Sequence, residues 1–290
     1  MRWMVTGAGG MTGSDVVELL EASGEAVVAA SKEQLDITSR DVLAFTRDAR
    51  PDVILNCAAY TKVDDCETDP VLADRINGEA VGVLADAANR EGALLVQIST
   101  DFVFDGTARV PYPVDAPVAP VSAYGRSKLL GEENAAQARQ HLIVRTSWLF
   151  GRRGPSFPAA ILRQTDAGKT ALRVVNDQRG RPTWTPHLAE ALVALARLAR
   201  TDQKARGIVH YADAPECTWF DLAKEIVKIA KPGEVVVEPV TTAEFPRPAR
   251  RPEYSVLSTE RYEALTGRSP AQWIDGLREF LAAAHPSSRG

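Results

Sequence analysis

The chain has 290 residues, with 34 Lys and Arg against 38 Asp and Glu, a formal net charge of −4. With 45% of residues hydrophobic and 25% charged, this composition excludes a disordered chain, a collagen-like fibre and a cysteine-rich secreted scaffold. The acidic balance argues against nucleic acid as a partner, and no window approaches the roughly 18 apolar residues of a membrane span.

In chain order, Trp3 to Thr6 reads as a strand and Met11 to Ala22 as a helix with Val16, Leu19 and Leu20 on one face. Ala26 to Ala30 is a second strand. Thr38 or Ser39 caps a helix through Val42 and Phe45, and Asp52 to Leu55 is a third strand. Val71 to Arg90 reads as one long helix, Leu94 to Ser99 as a fourth strand, Ala123 to Arg139 as a helix and Leu142 to Arg145 as a fifth strand. This βαβα alternation predicts an α/β fold: a Rossmann-type doubly wound parallel sheet.

After Trp148 the rhythm changes. A loop at 151–155 leads to a helix from Phe157 to Asp166, a strand from Leu172 to Val175 and a helix from Pro186 to Arg200. Short strands follow at Ile208 to Tyr211 and Val235 to Val237, with helices at Trp219 to Ala230 and Pro270 to Ala284. A Pro/Arg-rich stretch, Pro246 to Pro252, lies between those helices, and the tail Pro286 to Gly290 is expected to fray. At roughly 150 residues per domain, two domains are expected. Residues 1–150 would bind a dinucleotide, and 151–290 would form a smaller α/β substrate-binding unit from which a segment near 171–200 returns to the first. The N-terminal apolar stretch is too short for a signal peptide, so the expected location is the cytoplasm. Cys57, Cys66 and Cys217 lack metal-site spacing, as do His141, His187, His210 and His285.

Gly7, Gly10 and Gly13 give G-x-x-G-x-x-G spacing between the first strand and first helix. Such a loop turns tightly, brings backbone close to a pyrophosphate and offers it the helix N-terminus. The second strand ends Ala29-Ala30-Ser31-Lys32 with no acid at its tip. Ser31 and Lys32 suit a ribose 2′-phosphate, which favours NADPH and leaves NADH open.

Tyr124 and Lys128 form Y-x-x-x-K, placing phenol and ammonium on one helix face, where the ammonium would lower the phenol's pKa. Thr100 stands at the C-terminal end of the fourth strand, the sheet edge at which α/β ligands bind. Its hydroxyl can hold the oxygen that the tyrosine protonates.

These residues, together with Leu35 to Thr38, Pro51 to Thr61, Val63-Asp64 with Glu67, Ser99 to Gly106, Tyr124 to Glu132, Arg145 to Trp148 and Asn176 to Gln178, carry a resemblance spanning essentially the whole chain. The sequence resembles the extended short-chain dehydrogenase/reductase superfamily, and within it the dTDP-4-dehydrorhamnose reductases. The resemblance implies that Gly10, Met11 and Thr12 wrap the pyrophosphate, Asp36 and Ile37 flank the adenine, and Ala58, Ala59 and Thr61 line the ribose and nicotinamide. It implies Thr100, Tyr124 and Lys128 as the catalytic set, with Lys128 also on the nicotinamide ribose. Asp101 and Trp148 would contact the deoxysugar of dTDP-4-dehydrorhamnose. Met11-Thr12 replaces the more usual Gln-Leu pair. Some relatives form a metal-bridged dimer through acidic residues whose whole set is not matched here, so metal stays open and a monomer or weak homodimer is expected.

Arg247, Arg250 and Arg251 could pair with a nucleotide diphosphate, because each guanidinium fork matches two phosphate oxygens. Arg251 is taken as the substrate-binding candidate, with a basic surface loop as the alternative. Trp184 and Trp219 read as packing residues. Two rival functions stay open: reduction of another 4-keto-6-deoxy sugar nucleotide, and a non-catalytic NADP-binding regulatory subunit. A dehydratase would need a second acid after Asp101, where Phe102 stands.

Overall fold

A computed structural model describes residues 1–284; His285 and the tail expected to fray lie outside them. The first half alternates strands and helices: β1 (Arg2–Thr6), α1 (Met11–Ala22), β2 (Ala26–Ala30), α2 (Asp41–Ala49), β3 (Val53–Asn56), α3 (Val63–Thr68), α4 (Pro70–Asp74), α5 (Ala80–Glu91), β4 (Leu94–Thr100), α6 (Ala123–Ala135) and β5 (His141–Thr146). The second half carries β6 (Leu149–Phe150), α7 (Phe157–Asp166), β7 (Ala171–Val175), β8 (Arg179–Gly180), β9 (Thr183–Trp184), α8 (Thr185–Thr201) and β10 (Gly207–His210). It ends with β11 (Cys217–Thr218), α9 (Trp219–Ala230), β12 (Val236–Val240), α10 (Glu260–Thr266) and α11 (Trp273–Ala284).

Six strands form a parallel sheet in the order β10-β5-β4-β3-β1-β2. Chain direction across it reverses between β1 and β3, so the loops leaving those two strands diverge and open a crevice at the sheet's C-terminal edge. The inner strands β1, β3, β4 and β5 are buried on both faces, as a parallel sheet between helix layers requires, while the edge strand β2 is only partly covered. Trp3, Val5, Leu55 and Val96 pack under α1 and α8, while Met4, Ile54, Leu95 and Ile143 pack under α2, α5 and α6.

The chain leaves the sheet at Thr146 and returns to it at β10, beside β5. Helix α8 packs on α1, whereas β7 pairs with β12 outside the sheet. A third core, built on Phe150, Trp184, Leu222, Ile226 and Leu277, organises the later residues.

Two local readings are corrected. The long helix expected from Val71 to Arg90 is α4, a π-helical turn at Arg75–Glu79, and α5. Asn77 explains the interruption: its side chain bonds both the N–H and C=O of Tyr60 and the Ser127 hydroxyl, tying this turn to the loop after β3 and to α6. Thr38 donates its hydroxyl to Asp36 and does not cap α2, whereas the Ser39 hydroxyl accepts the amide of Asp41, the first residue of α2, with Arg40 at the N-cap position.

Candidate active site

The glycine loop sits where the sheet order reverses. Gly7 has φ +64°, and a Cβ there would lie 2.7 Å from the Ala58 nitrogen, so only glycine lets the loop after β1 touch the loop after β3. A Cβ on Gly13 would strike the Gly7 carbonyl, which is how α1 starts so close to the turn. Gly10 is the N-cap of α1 and offers no side-chain cap, leaving the first-turn amides of Met11, Thr12 and Gly13 without the usual side-chain acceptor. This cradle fits a pyrophosphate. Ala58 and Ala59 line its other wall, half-buried.

At the tip of β2, the Ser31 hydroxyl donates to the Glu33 carboxylate at 2.7 Å, while Lys32 is exposed. Glu33 lies just beyond the tip at which no acid was expected, and it was visible in the sequence one residue further on. Asp36 accepts from the Thr38 amide and hydroxyl, which hold its carboxyl below the usual carboxylate range. Ile37 beside it is buried, and Thr61 is exposed at the far end of the β3 loop.

Beneath the crevice runs a chain of side chains that sequence reasoning missed. Thr6 donates to Asn56 Oδ1, Asn56 Nδ2 donates to Gln97 Oε1 at 2.7 Å, and Gln97 Nε2 donates to the Ile98 carbonyl at 2.8 Å. That carbonyl also accepts from Lys128 Nζ at 2.7 Å. Polar residues inside otherwise apolar parallel strands were the available signal.

Thr100 faces Tyr124, and Lys128 follows one turn further along the same helix. Thr100 ends β4 and donates to Asp101 Oδ1 at 3.0 Å while accepting from the Phe102 amide. Helix α6 is started by Ser122, whose hydroxyl accepts from the Gly125 amide, and by Glu67, which accepts from the Ala123 amide at 2.7 Å. It presents Tyr124, Lys128 and Glu132 at i, i+4 and i+8 along one face. Glu132, at the inner end, receives both arms of Arg145 at 2.8 and 2.7 Å and the Ser99 hydroxyl.

The electrostatics depart from one expectation. Burial pushes the Tyr124 phenol above its ordinary pKa, and the Asp101 carboxylate adds to the rise. Lys128, turned to the Ile98 carbonyl, does not offset it. The phenol is therefore held protonated in the free chain. Burial also lowers the Lys128 pKa to about 8, against the pull of Glu132. Asp101 is raised to about 6 by burial, against the Ser255 and Thr100 hydroxyls that favour its charge, and its Oδ2 finds no hydrogen-bond partner among the described residues.

Across the cleft, Trp148 adopts φ +50°, a left-handed conformation rare for a bulky residue. Its indole stacks on Trp219 at 3.6 Å, and Gly180 leaves room for the ring. Trp219 and Phe157 continue into a cavity of about 960 Å³ that is closed along one side by Phe245, Arg247 and Arg251. Trp219 was expected to pack, and it does so as part of the cavity wall. Arg251 is bound through both arms to Asp64 of α3, each at 3.0 Å. Arg247 and Arg250 are exposed on the same segment and make no ion pair among the described residues. His187 pairs with Asp213, and His210 is buried beside Arg145 with its pKa lowered by burial to about 3. Among the described residues no His, Cys, Asp and Glu side chains group as a metal site would.

The whole described chain resembles known proteins. The RmlD substrate binding domain model matches residues 1–285. A relative from Streptomyces antibioticus, a "probable dTDP-4,6-dihydroxy-2-methyloxan-3-one 4-ketoreductase", is 44% identical over 100% of this chain and 99% of its own. A dTDP-4-dehydrorhamnose reductase from Streptomyces griseus is 40% identical over 97% of this chain and 93% of its own. The crystal structure of a dTDP-4-dehydrorhamnose reductase from Bacillus anthracis, solved in complex with NADP, superposes with a TM-score of 0.90 at 35% identity, covering 96% of this chain and 98% of that one.

Proposed function

This chain belongs to the RmlD substrate binding domain family, and from that footing we infer that it is the NADPH-dependent reductase of the C4 ketone of dTDP-4-dehydro-β-L-rhamnose, giving dTDP-β-L-rhamnose. The single observation that carries the reading is the face of α6 on which Tyr124 and Lys128 meet Thr100 at the end of β4, beside the glycine cradle. NADPH, when held there, supplies the hydride. Gly10, Met11 and Thr12 would bind its pyrophosphate, Ala58, Ala59 and Thr61 its ribose and nicotinamide side, Asp36 and Ile37 its adenine, and Ser31 and Lys32 its 2′-phosphate.

The chain's own residues handle the oxygen and the proton. Tyr124, kept protonated by burial, gives its proton to the C4 oxygen as the carbonyl becomes an alcohol. Thr100 would hold that oxygen by turning onto it the hydroxyl that it donates to Asp101 in the free chain. Lys128, fixed by the Ile98 carbonyl and balanced by Glu132, would hold the nicotinamide ribose. Asp101, whose buried Oδ2 has no hydrogen-bond partner among the described residues, is suited to accept a sugar hydroxyl, and the Trp148 indole would form the wall against which the deoxysugar lies. Arg247, stacked over the Phe245 ring, and Arg250 are exposed on the segment and would meet the diphosphate. The sheet-bearing first half would hold cofactor and the later residues substrate, in a cytoplasmic monomer or weak homodimer with no nucleic-acid or membrane partner.

A second reading, reduction of a different dTDP-linked 4-keto-deoxysugar by the same residues, is favoured by the name of the 44% identical relative. The test follows NADPH oxidation with dTDP-4-dehydrorhamnose formed in situ, with other 4-keto sugars in parallel, for the wild type and Tyr124→Phe. Turnover in the variant should fall about 10²-fold or more with NADPH binding retained. Unchanged turnover would exclude Tyr124 as the proton donor.

A further inference from the structure

Helix α3 makes contacts on three sides that no residue of the site explains by itself. Asp64 takes both guanidinium arms of Arg251 at 3.0 Å and also accepts from the Ala249 amide at 3.2 Å, while Arg251 donates back to the Ala249 carbonyl at 3.1 Å. Cys66, two residues on, is fully buried in a cluster against Ala123 and Tyr124. Glu67, the next residue, accepts the Ala123 amide at the start of the tyrosine helix. One short helix thus holds the Pro/Arg segment with one side chain and the catalytic helix with two.

The segment is anchored at its other end as well. A Cβ on Gly106 would lie 2.5 Å from Pro252, and Tyr254 donates its amide to the Gly106 carbonyl, so the chain runs directly from Arg251 onto the loop that follows Asp101. Arg251 lines both the 960 Å³ cavity and a neighbouring one of about 420 Å³.

We propose that Asp64 and Arg251 form a clasp by which the substrate-bearing Pro/Arg segment is registered against the tyrosine helix, so that Arg251 is a positioning residue and not a phosphate ligand. This rests on the reductase reading, in which Arg247 and Arg250 meet the diphosphate. A bidentate arginine–carboxylate pair, half-screened from water and reinforced by two backbone bonds, holds a fixed geometry that a single point charge would not. Because the clasp is already made in the free chain, the segment that meets the sugar nucleotide is held in register with Tyr124 through α3, and loss of the clasp would show in kcat as well as in KM.

The test is a double-mutant cycle on the full-length chain with Asp64→Ala, Arg251→Ala and both together, reading kcat, KM for the sugar nucleotide, NADPH affinity, and dTDP affinity by calorimetry. The clasp predicts that each single change lowers kcat/KM about tenfold with part of the loss in kcat, that the double variant is no worse than the poorer single, and that NADPH affinity holds. The exchange Asp64→Arg with Arg251→Asp should recover part of the loss. If instead Arg251→Ala alone is impaired while Asp64→Ala binds dTDP as well as or better than wild type, Arg251 is a phosphate ligand released from a competitor and the clasp is wrong. Losses that multiply in the double variant overturn it too. A wild type that binds dTDP and reduces no 4-keto sugar would defeat the reductase reading, and the cycle on dTDP affinity would still decide the clasp.

Discussion

The indoles of Trp148 and Trp219 lie face to face with centroids 3.6 Å apart and planes 5° from parallel. Trp219 is in turn fixed by a 3.2 Å bond from its Nε1 to Gln178 and by Phe157 tilted against its ring at 4.7 Å. The Trp148 ring is thereby held in one rotational setting by an aromatic stack whose other member, Trp219, lines the large cavity.

Gly180 supplies the clearance for that stack, since a Cβ there would sit 2.6 Å from Trp148 Nε1. Gly180→Ala should displace the Trp148 ring and raise KM for the sugar nucleotide about tenfold, with NADPH affinity unchanged. Steady-state kinetics and a cofactor titration check it. An unaltered KM would show that the sugar does not lie on Trp148.

At the other end of the cleft, Gly7→Ala combines a strained φ with a collision against the Ala58 backbone. The loops after β1 and β3 must then separate, at a cost of about 2–4 kcal/mol in stability and with most of the NADPH affinity lost. Cofactor fluorescence and urea denaturation measure the two effects, and a variant that binds NADPH normally would mean that the crevice lies elsewhere.

Glu132 and Arg145 are nearly inaccessible to solvent, with side chains 5% and 2% exposed. Glu132→Gln leaves the Arg145 charge buried without its partner and should cost about 3–5 kcal/mol in urea denaturation. Replacing both, as Glu132→Leu with Arg145→Met, should be milder than the single change, because no unpaired charge remains. A double variant less stable than Glu132→Gln would contradict this.

Asp101, 1% exposed, carries a carboxyl raised from 3.8 to about 6 by burial. Between those values the folded chain binds the proton that the unfolded chain releases. The contribution is therefore fully present below about pH 4 and is lost as pH rises through about 6, a change of about 3 kcal/mol. His210, lowered to about 3, has the opposite slope over an overlapping range, so the difference between wild type and Asp101→Asn isolates the aspartate. Relative to wild type, Asp101→Asn should gain stability between pH 4 and 7, and a flat difference in thermal melts would refute the shift.

What the sequence determined by itself was everything that depends on local period and spacing. Alternating apolar strands and helices at 1–146 specify a parallel sheet, the glycines at 7, 10 and 13 mark its first turn, and Tyr124 and Lys128 four residues apart must share a helix face. Tertiary structure decided what depends on partners distant in the chain. Asn77 sits in a π-helical turn of an otherwise continuous helix, where it bonds Tyr60 and Ser127. Tyr124 is held protonated because burial outweighs any pull from Lys128, whose ammonium is bonded to Ile98. Arg251 is joined to a carboxylate 187 residues away, so its charge is already matched within the chain. Burial and pairing are properties of the packed molecule: the desolvation that shifts a pKa, and the partner that neutralises a charge, exist only after the chain has closed around them.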